Sequence, residues 1–205
     1  VPGPMTIIDS TFDEAYGGDE EAQAIDIATA LNLELLDLQA AGVDVLQIDE
    51  PAMTRWHEKV EAYGATALDR CLRGIVVPTF VHLCYGYGGS LDTRQYHYEY
   101  PELFGMLRQT AISGLSVEFA RSGYDSSILA ACDGKAVMFG CVDPGDEELP
   151  QTNEVVESVR RVLSYVPADR LLIAPDCGMM TVSRQAAQSK ASLLARVASE
   201  VRDSL

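Results

Sequence analysis

The stretch Ala136-Val137-Met138-Phe139-Gly140-Cys141-Val142 is a nearly continuous apolar run that ends at the acidic residue Asp143. Runs of this kind are typical of strands in a parallel sheet, because helices cover both faces of such a sheet. An acidic loop follows, and then a segment at 153–165 that is predicted to be a helix. The stretch therefore predicts one β/α unit.

The same alternation of strand and helix recurs from one end of the chain to the other. It predicts six β/α units in a single α/β domain over residues 1–205. The strands are predicted at 5–8, 43–48, 75–83, 115–119, 136–142 and 171–174. The helices are predicted at 22–41, 55–72, 101–112, 126–132, 153–165 and 184–204, with a glycine-rich loop at 86–98.

Two folds fit this alternation, a doubly wound sheet and a (β/α)₈ TIM-type barrel. No Gly-x-Gly-x-x-Gly motif follows a predicted strand, which disfavours the dinucleotide-binding version of the doubly wound sheet. The candidate polar residues all lie at the carboxyl ends of strands, where barrel enzymes carry their chemistry. Six units are two fewer than a closed barrel contains.

The charge and cysteine content exclude several classes of function. The net charge of −16 disfavours nucleic acid and anionic membranes as partners, because both require a basic surface. No apolar run is long enough to span a bilayer, and no signal peptide is visible at the first residues. Five widely spaced cysteines do not resemble a disulfide framework, so the sequence predicts a cytoplasmic protein.

Four potential metal ligands lie at strand ends. His82 and Cys84 are two residues apart, so on a strand they point to the same face. Glu118 ends another apolar run, and a buried carboxylate needs a cation such as Arg121 or a metal ion. Cys177 follows the last predicted strand. One imidazole, two thiols and one carboxylate form a donor set that Zn²⁺ accepts and that could present a substrate thiol.

An acidic pair, Asp49 and Glu50, follows another apolar run and precedes Pro51. Adjacent residues of a strand point to opposite faces, so one of the two is expected to face a site. We expect Asp49 to contact a substrate ammonium group or to act as an acid–base residue. Glu50 is a second candidate for substrate binding, although bonds to neighbouring backbone or a role in helix capping suit it as well.

Together these motifs resemble the catalytic barrel of the cobalamin-independent methionine synthase family. The matching blocks are Gln47-Ile48-Asp49-Glu50-Pro51-Ala52, His82-Leu83-Cys84-Tyr85 and Pro175-Asp176-Cys177-Gly178. The resemblance covers essentially the whole chain and implies a TIM-type barrel that transfers a methyl group to the thiol of homocysteine. It also implies that Asp49 holds the amino group of homocysteine and that zinc is bound by His82, Cys84, Glu118 and Cys177.

Two departures from the family pattern concern the methyl donor. The family carries a histidine, proposed to serve the proton transfer, where this sequence has Gly145, within Asp143-Pro144-Gly145-Asp146. Members that use methylfolate carry a tryptophan near the position of Ser10. Both changes weaken the case for a methylfolate donor, and they leave Asp143 or Asp146 as candidates for proton transfer.

A third departure concerns the extent of the barrel. The chain starts with Val1 at what corresponds to the third barrel strand, so the first two β/α units are expected to be missing. They would come from a longer protein or from another chain, for example in a homo-oligomer.

Two other functions fit the same residues. One is the zinc-dependent thiol alkylation of epoxyalkane–coenzyme M transferases, which needs no pterin pocket. The other is a structural zinc site without catalysis, in which all four metal positions are closed. Whether the enzyme is a methionine synthase or an epoxyalkane–coenzyme M transferase, its expected partners are a small-molecule thiol and a methyl or alkyl donor.

Overall fold

A five-stranded sheet forms the framework of the protein. The computed structural model describes residues 1–85, 100–132 and 134–205, so the predicted loop at 86–98 lies outside the described residues. The strands follow one another across the sheet in chain order, and the pairs at both ends of the sheet are parallel. They are β1 (Leu46–Asp49), β2 (Thr79–Leu83), β3 (Gly114–Glu118), β4 (Ala136–Val142) and β5 (Leu171–Pro175).

This strand order distinguishes between the two folds that the sequence left open. In a doubly wound sheet the strand order reverses at a switch point, whereas in a barrel each strand lies beside its successor. The order β1-β2-β3-β4-β5 contains no reversal. The α/β class is therefore confirmed, and the winding is that of a TIM-type barrel.

Helices connect the strands. Short 3₁₀ segments lie at Pro51–Thr54, Ser126–Cys132 and Ala168–Arg170, and a π-helical segment at Val60–Gly64 joins α3 to α4. The α-helices are α1 (Pro4–Asp9), α2 (Glu20–Ala40), α3 (His57–Lys59), α4 (Ala65–Cys71), α5 (Tyr100–Leu107), α6 (Thr152–Val162) and α7 (Arg184–Arg202). Gly42 follows α2 with a φ of 92°, the left-handed conformation in which many helices end and which glycine adopts without a steric penalty.

The predicted first strand, at residues 5–8, is wrong, because these residues form α1. Pro4 at the first helical position has the backbone angle that a helix needs and lacks only an N–H that would have no helical partner. The strand-like pairing lies just before the helix. Gly3 donates its N–H to the Asp49 carbonyl at 2.8 Å, and Asp49 donates to the Val1 carbonyl at 2.8 Å.

The described chain divides into two compact units. The first contains Val1–Leu83 and residues 100–115, and the second contains residues 84–85 and Ser116–Leu205. The core of the first unit includes residues of α2 and α4, which pack against each other: Ala24, Ala28, Leu35, Leu68 and Cys71. In the second unit α6 and α7 pack against each other and bury Val155, Val159, Leu193 and Val197.

Helix length and hydropathy decide whether a helix could span a membrane. Among the residues that the structure describes, no helix combines enough length with enough apolar character to cross a bilayer.

Candidate metal centre

All four predicted metal ligands lie at or just beyond the carboxyl end of a strand. His82 is the penultimate residue of β2, and Cys84 is the first residue after that strand. Glu118 is the last residue of β3. Cys177 comes two residues after β5. The predicted placement at strand ends is thus observed for each of the four.

The donor atoms of these residues come together. One donor atom from each of His82, Cys84, Glu118 and Cys177 lies within 4.8 Å of every other. His82, Cys84 and Glu118 are buried, with Glu118 fully inaccessible to solvent, whereas Cys177 is half-buried. Among the described residues, this is the group that the structure offers as a possible metal site.

The two thiols lie in contact. The Sγ atoms of Cys84 and Cys177 are 3.6 Å apart, and both cysteines are free thiols. Two thiolates bound to one tetrahedral zinc ion, each at about 2.3 Å, stand about 3.8 Å apart. The observed separation therefore suits two ligands of a single ion.

The electrostatics of the group favour a cation. The pKa of the Cys84 thiol is raised above its ordinary value, first by the hydrogen bond with Cys177, then by burial and by the negative charge of Glu118. Two thiols and a carboxylate in a buried space cannot all carry charge without a positive partner. A bound metal ion would supply that charge, so the donor set fits a thiophilic divalent metal.

Asp176, which immediately precedes Cys177, has a structural role that the sequence prediction missed. Its side chain is 1% exposed. Oδ1 accepts the backbone N–H groups of Phe119 at 3.0 Å and Ala120 at 2.9 Å, and Oδ2 accepts that of Arg121 at 3.2 Å. The carboxylate thus binds the three residues that directly follow Glu118. An acidic residue inside an apolar segment is the only sequence signal for such a contact.

Asp49 lies where the prediction puts it, at the end of β1. It is in register with His82 of the neighbouring strand β2. Its side chain is half-buried, and Oδ1 accepts a hydrogen bond of 2.8 Å from Gln47 Nε2. The carboxylate therefore keeps capacity to bind a further donor, such as a substrate ammonium group.

Glu50 differs from Asp49 in its surroundings. It is fully buried, and its carboxylate accepts the N–H groups of Met5 at 3.1 Å and Thr6 at 3.0 Å and the Thr6 hydroxyl at 2.7 Å. Burial raises the pKa of Glu50 to about 7. Both oxygens of Glu50 therefore contact the first turn of α1, as expected for a residue that bonds neighbouring backbone.

Asp143 is the first residue after β4 and is half-buried. Its Oδ2 lies 3.2 Å from Nε of Arg121, and its Oδ1 accepts the N–H of Gly145 at 2.7 Å. Asp146 is exposed, and its Oδ1 accepts the N–H of Glu148 within the same loop. Of the two candidates for proton transfer, Asp143 is the one held beside a strand end by a cation.

The fold and the donor set define a class of protein, and comparison with known proteins confirms it. Residues 1–200 match the family described as cobalamin-independent synthase, catalytic domain. The chain belongs to this family, so the resemblance inferred from the sequence motifs is confirmed.

Particular relatives are methionine synthases. The methionine synthase of Pyrococcus horikoshii is 30% identical over 206 residues, which cover 100% of this chain and 57% of that protein. The methionine synthase of Saccharolobus islandicus strain Y.G.57.14 is 28% identical and is covered over 58% of its length. This chain therefore spans little more than half the length of these relatives.

Solved structures agree with this assignment. A B12-independent methionine synthase from Shewanella sp. W3-18-1, in complex with selenomethionine, matches with a TM-score of 0.93 and 35% identity, over 100% of this chain and 61% of that chain. A second structure, from Listeria monocytogenes, has a TM-score of 0.72 at 18% identity and supports the fold alone.

Proposed function

We propose that this chain carries the zinc-dependent methyl-transfer centre of a cobalamin-independent methionine synthase, which methylates homocysteine to give methionine. The observation that carries the proposal is the meeting of four donor atoms, from His82, Cys84, Glu118 and Cys177, within 4.8 Å of one another. Membership in the synthase family and the names of the relatives support the same reaction.

The four donors would hold the zinc ion. When bound, zinc supplies a Lewis acid that lowers the pKa of a substrate thiol toward neutrality. Glu118 and Cys84 are buried and fixed at strand ends, which suits permanent ligands. Cys177 is the least buried of the four and marks the side of the site that is open to a substrate.

The remaining acidic residues would orient the substrate and move a proton. Asp49 would accept hydrogen bonds from the ammonium group of homocysteine, which fixes the direction of the thiol. As the sulfur–methyl bond forms, the bond between the methyl group and its donor breaks. If the donor leaves as an amine, it needs a proton, and Asp143 is our candidate for its delivery.

The methyl acceptor separates this proposal from the other thiol alkylation. An epoxyalkane–coenzyme M transferase would use the same metal ligands on a thiol that carries a sulfonate. The relatives named above are methionine synthases, which favours homocysteine as the thiol. The methyl donor stays open, since Ser10 and Gly145 stand where the family's tryptophan and histidine are expected.

We also propose that further β/α units complete the barrel and contribute to the substrate site. The greater length of the relatives supports this proposal. Five free cysteines and the excess of acidic residues support a reducing cytoplasm and small-molecule partners instead of nucleic acid.

The test is metal analysis combined with X-ray absorption at the metal edge. We expect about one zinc per chain and one additional sulfur ligand when homocysteine is added, with no change on addition of coenzyme M. A sulfur ligand gained with coenzyme M alone would favour the alternative alkylation. A chain that binds no metal would contradict the proposal.

A further inference from the structure

We infer that Asp176 is a positioning residue for the metal centre, an inference that rests on the proposed function of that centre. It fixes the strand end that carries Glu118 against the turn that carries Cys177. Asp176 would not be a metal ligand itself. It would act indirectly, through its hydrogen bonds to the backbone that follows Glu118.

The bonding pattern is the first argument. Asp176 is adjacent to Cys177 in the chain, while the N–H groups that it accepts belong to Phe119, Ala120 and Arg121, the residues that follow Glu118. These bonds join segments that are 55 to 57 residues apart. Hydrogen bonds to a charged acceptor are stronger than neutral ones, and burial excludes water that would compete for them.

The second argument is the space that Gly140 of β4 leaves for the Asp176 side chain. A Cβ atom on Gly140 would overlap Asp176 Oδ1 and lie 2.7 Å from the Val117 carbonyl oxygen and 2.8 Å from the Asp176 Cα. The Gly140 carbonyl also shares the Phe119 N–H with Asp176, at 3.2 Å. Gly140 thus provides the space that lets the carboxylate reach the backbone after Glu118.

The consequence for a metal site follows from the tolerance of coordination geometry. Metal ligands must be held within about 0.5 Å of their productive positions, and residues outside the ligand set provide that precision. Asp176 links two segments that each carry a ligand, Glu118 and Cys177. Without these hydrogen bonds, the distance between the Glu118 and Cys177 donor atoms would be less fixed, although the strands would still form.

The test compares binding of Co²⁺, a spectroscopic substitute for Zn²⁺, to the 205-residue chain and three variants. In Asp176→Asn the side chain keeps its size, and one oxygen still accepts from Phe119 and Ala120, but the amide group cannot accept from Arg121. Asp176→Ala removes all three bonds. The matched control is Val197→Ala, which removes buried atoms from α7, a helix of the same unit that carries none of the four candidate ligands.

We expect Co²⁺ affinity, measured by competition with a chelator, to fall about 10-fold in Asp176→Asn and about 100-fold in Asp176→Ala, the range typical for outer-shell partners of metal ligands. The d–d and thiolate charge-transfer bands should change in both. Val197→Ala should lower the thermal midpoint but leave affinity and spectrum unchanged, which separates positioning from a merely structural role.

A metal-free measurement checks the geometry itself. In Asp176→Asn the Arg121 amide should exchange its hydrogen faster than in the wild-type chain, because it has lost its acceptor. Wild-type exchange at this amide, or wild-type Co²⁺ affinity and spectrum in folded Asp176→Asn, would overturn the inference. If Asp176→Ala does not fold, Asp176→Asn decides alone. If the wild-type chain binds neither Co²⁺ nor Zn²⁺, the proposed metal centre itself fails.

Discussion

Asp49 and His82 lie in register on the neighbouring parallel strands β1 and β2. Residues in register on adjacent strands point to the same side of a sheet, so the candidate amine-binding carboxylate and a candidate metal ligand face one region. Homocysteine carries its ammonium group and its thiol on the same short chain. The register of these two strands is therefore the feature that best explains how one molecule could reach both residues.

The first prediction concerns Asp49 and substrate recognition. When the chain is loaded with metal, Asp49→Asn should weaken homocysteine binding by about 10- to 100-fold, which is the effect of losing a hydrogen bond to a charged group. Binding of 4-mercaptobutyrate, which lacks the ammonium group, should be unaffected. Asp44→Asn, at the exposed segment before β1, is the control. Equal losses for both thiols would rule out an amine-specific contact.

The second prediction concerns Cys177 as a metal ligand. Cys177→Ala should reduce zinc affinity by more than the roughly 100-fold typical of outer-shell changes, while the chain stays folded. Cys132→Ala, which removes a different thiol of the second unit, should retain the metal. Chelator competition and circular dichroism measure the two effects. Unfolding of Cys177→Ala would instead indicate a structural zinc site.

The third prediction concerns Glu50 and pH. Burial raises its pKa from 4.5 to about 7, so the folded protein binds more protons than the unfolded chain between these values. The free energy of unfolding should therefore fall by roughly 3 kcal/mol as the pH rises through this window. Below pH 4.5 the stabilising contribution is fully present, and above pH 7 it is lost.

Denaturant titrations at several pH values measure this dependence. Glu50→Gln should flatten the curve between pH 4.5 and pH 7, because its amide does not titrate. Glu61→Gln, at an exposed position in the same unit, should keep the wild-type slope. Identical slopes in all three proteins would show that Glu50 is not the titrating group.

The fourth prediction concerns Gly140 in β4. Gly140→Ala should destabilise the protein by about 1–3 kcal/mol or more, because its methyl group meets the Asp176 side chain and the Val117 carbonyl. Gly105→Ala in α5 should stabilise by roughly 0.5–1 kcal/mol, because among the described residues no atom outside the helix lies within 4 Å of the added methyl group. Thermal unfolding of both variants gives the comparison.

The fifth prediction concerns Asp143 and the leaving group. If Asp143 delivers a proton, Asp143→Asn should slow methyl transfer from methyltetrahydrofolate by roughly 10²- to 10⁴-fold. Transfer from a methylsulfonium donor should keep its rate, because a sulfonium leaves as a neutral thioether and needs no proton. Asp146→Asn in the same loop is the control. A loss of equal size with both donors would assign Asp143 a role in orientation.

The strand ends, and the positions of the four candidate metal ligands at these ends, could be predicted from the sequence because both signals are local. An apolar run followed by His82 and Cys84 or by Glu118 indicates a strand and its carboxyl end together. The helix α1 could not be recovered from the same signal. Its residues 5–8 are as apolar as a strand, and the outcome depends on Pro4 and on the distant Glu50 carboxylate.

Asp176 shows a second limit of sequence reasoning. Its partners are backbone N–H groups, which every residue except proline has, so no residue type marks them. Only the fold brings Arg121 and its neighbours to the carboxylate. Similarly, the predicted helix at 55–72 contains a π-helical stretch at Val60–Gly64 that the apolar spacing does not reveal.

The order of the strands also bears on how the chain reaches its native state. Each strand from β2 to β5 lies beside the strand before it in sequence, so pairing never has to wait for a segment from the far end of the described chain. On a ribosome, where the amino-terminal part emerges first, β2 can dock on β1 while β4 and β5 are still being synthesised. The sheet can therefore grow vectorially, one β/α unit at a time, with each new unit covering the edge left by its predecessor.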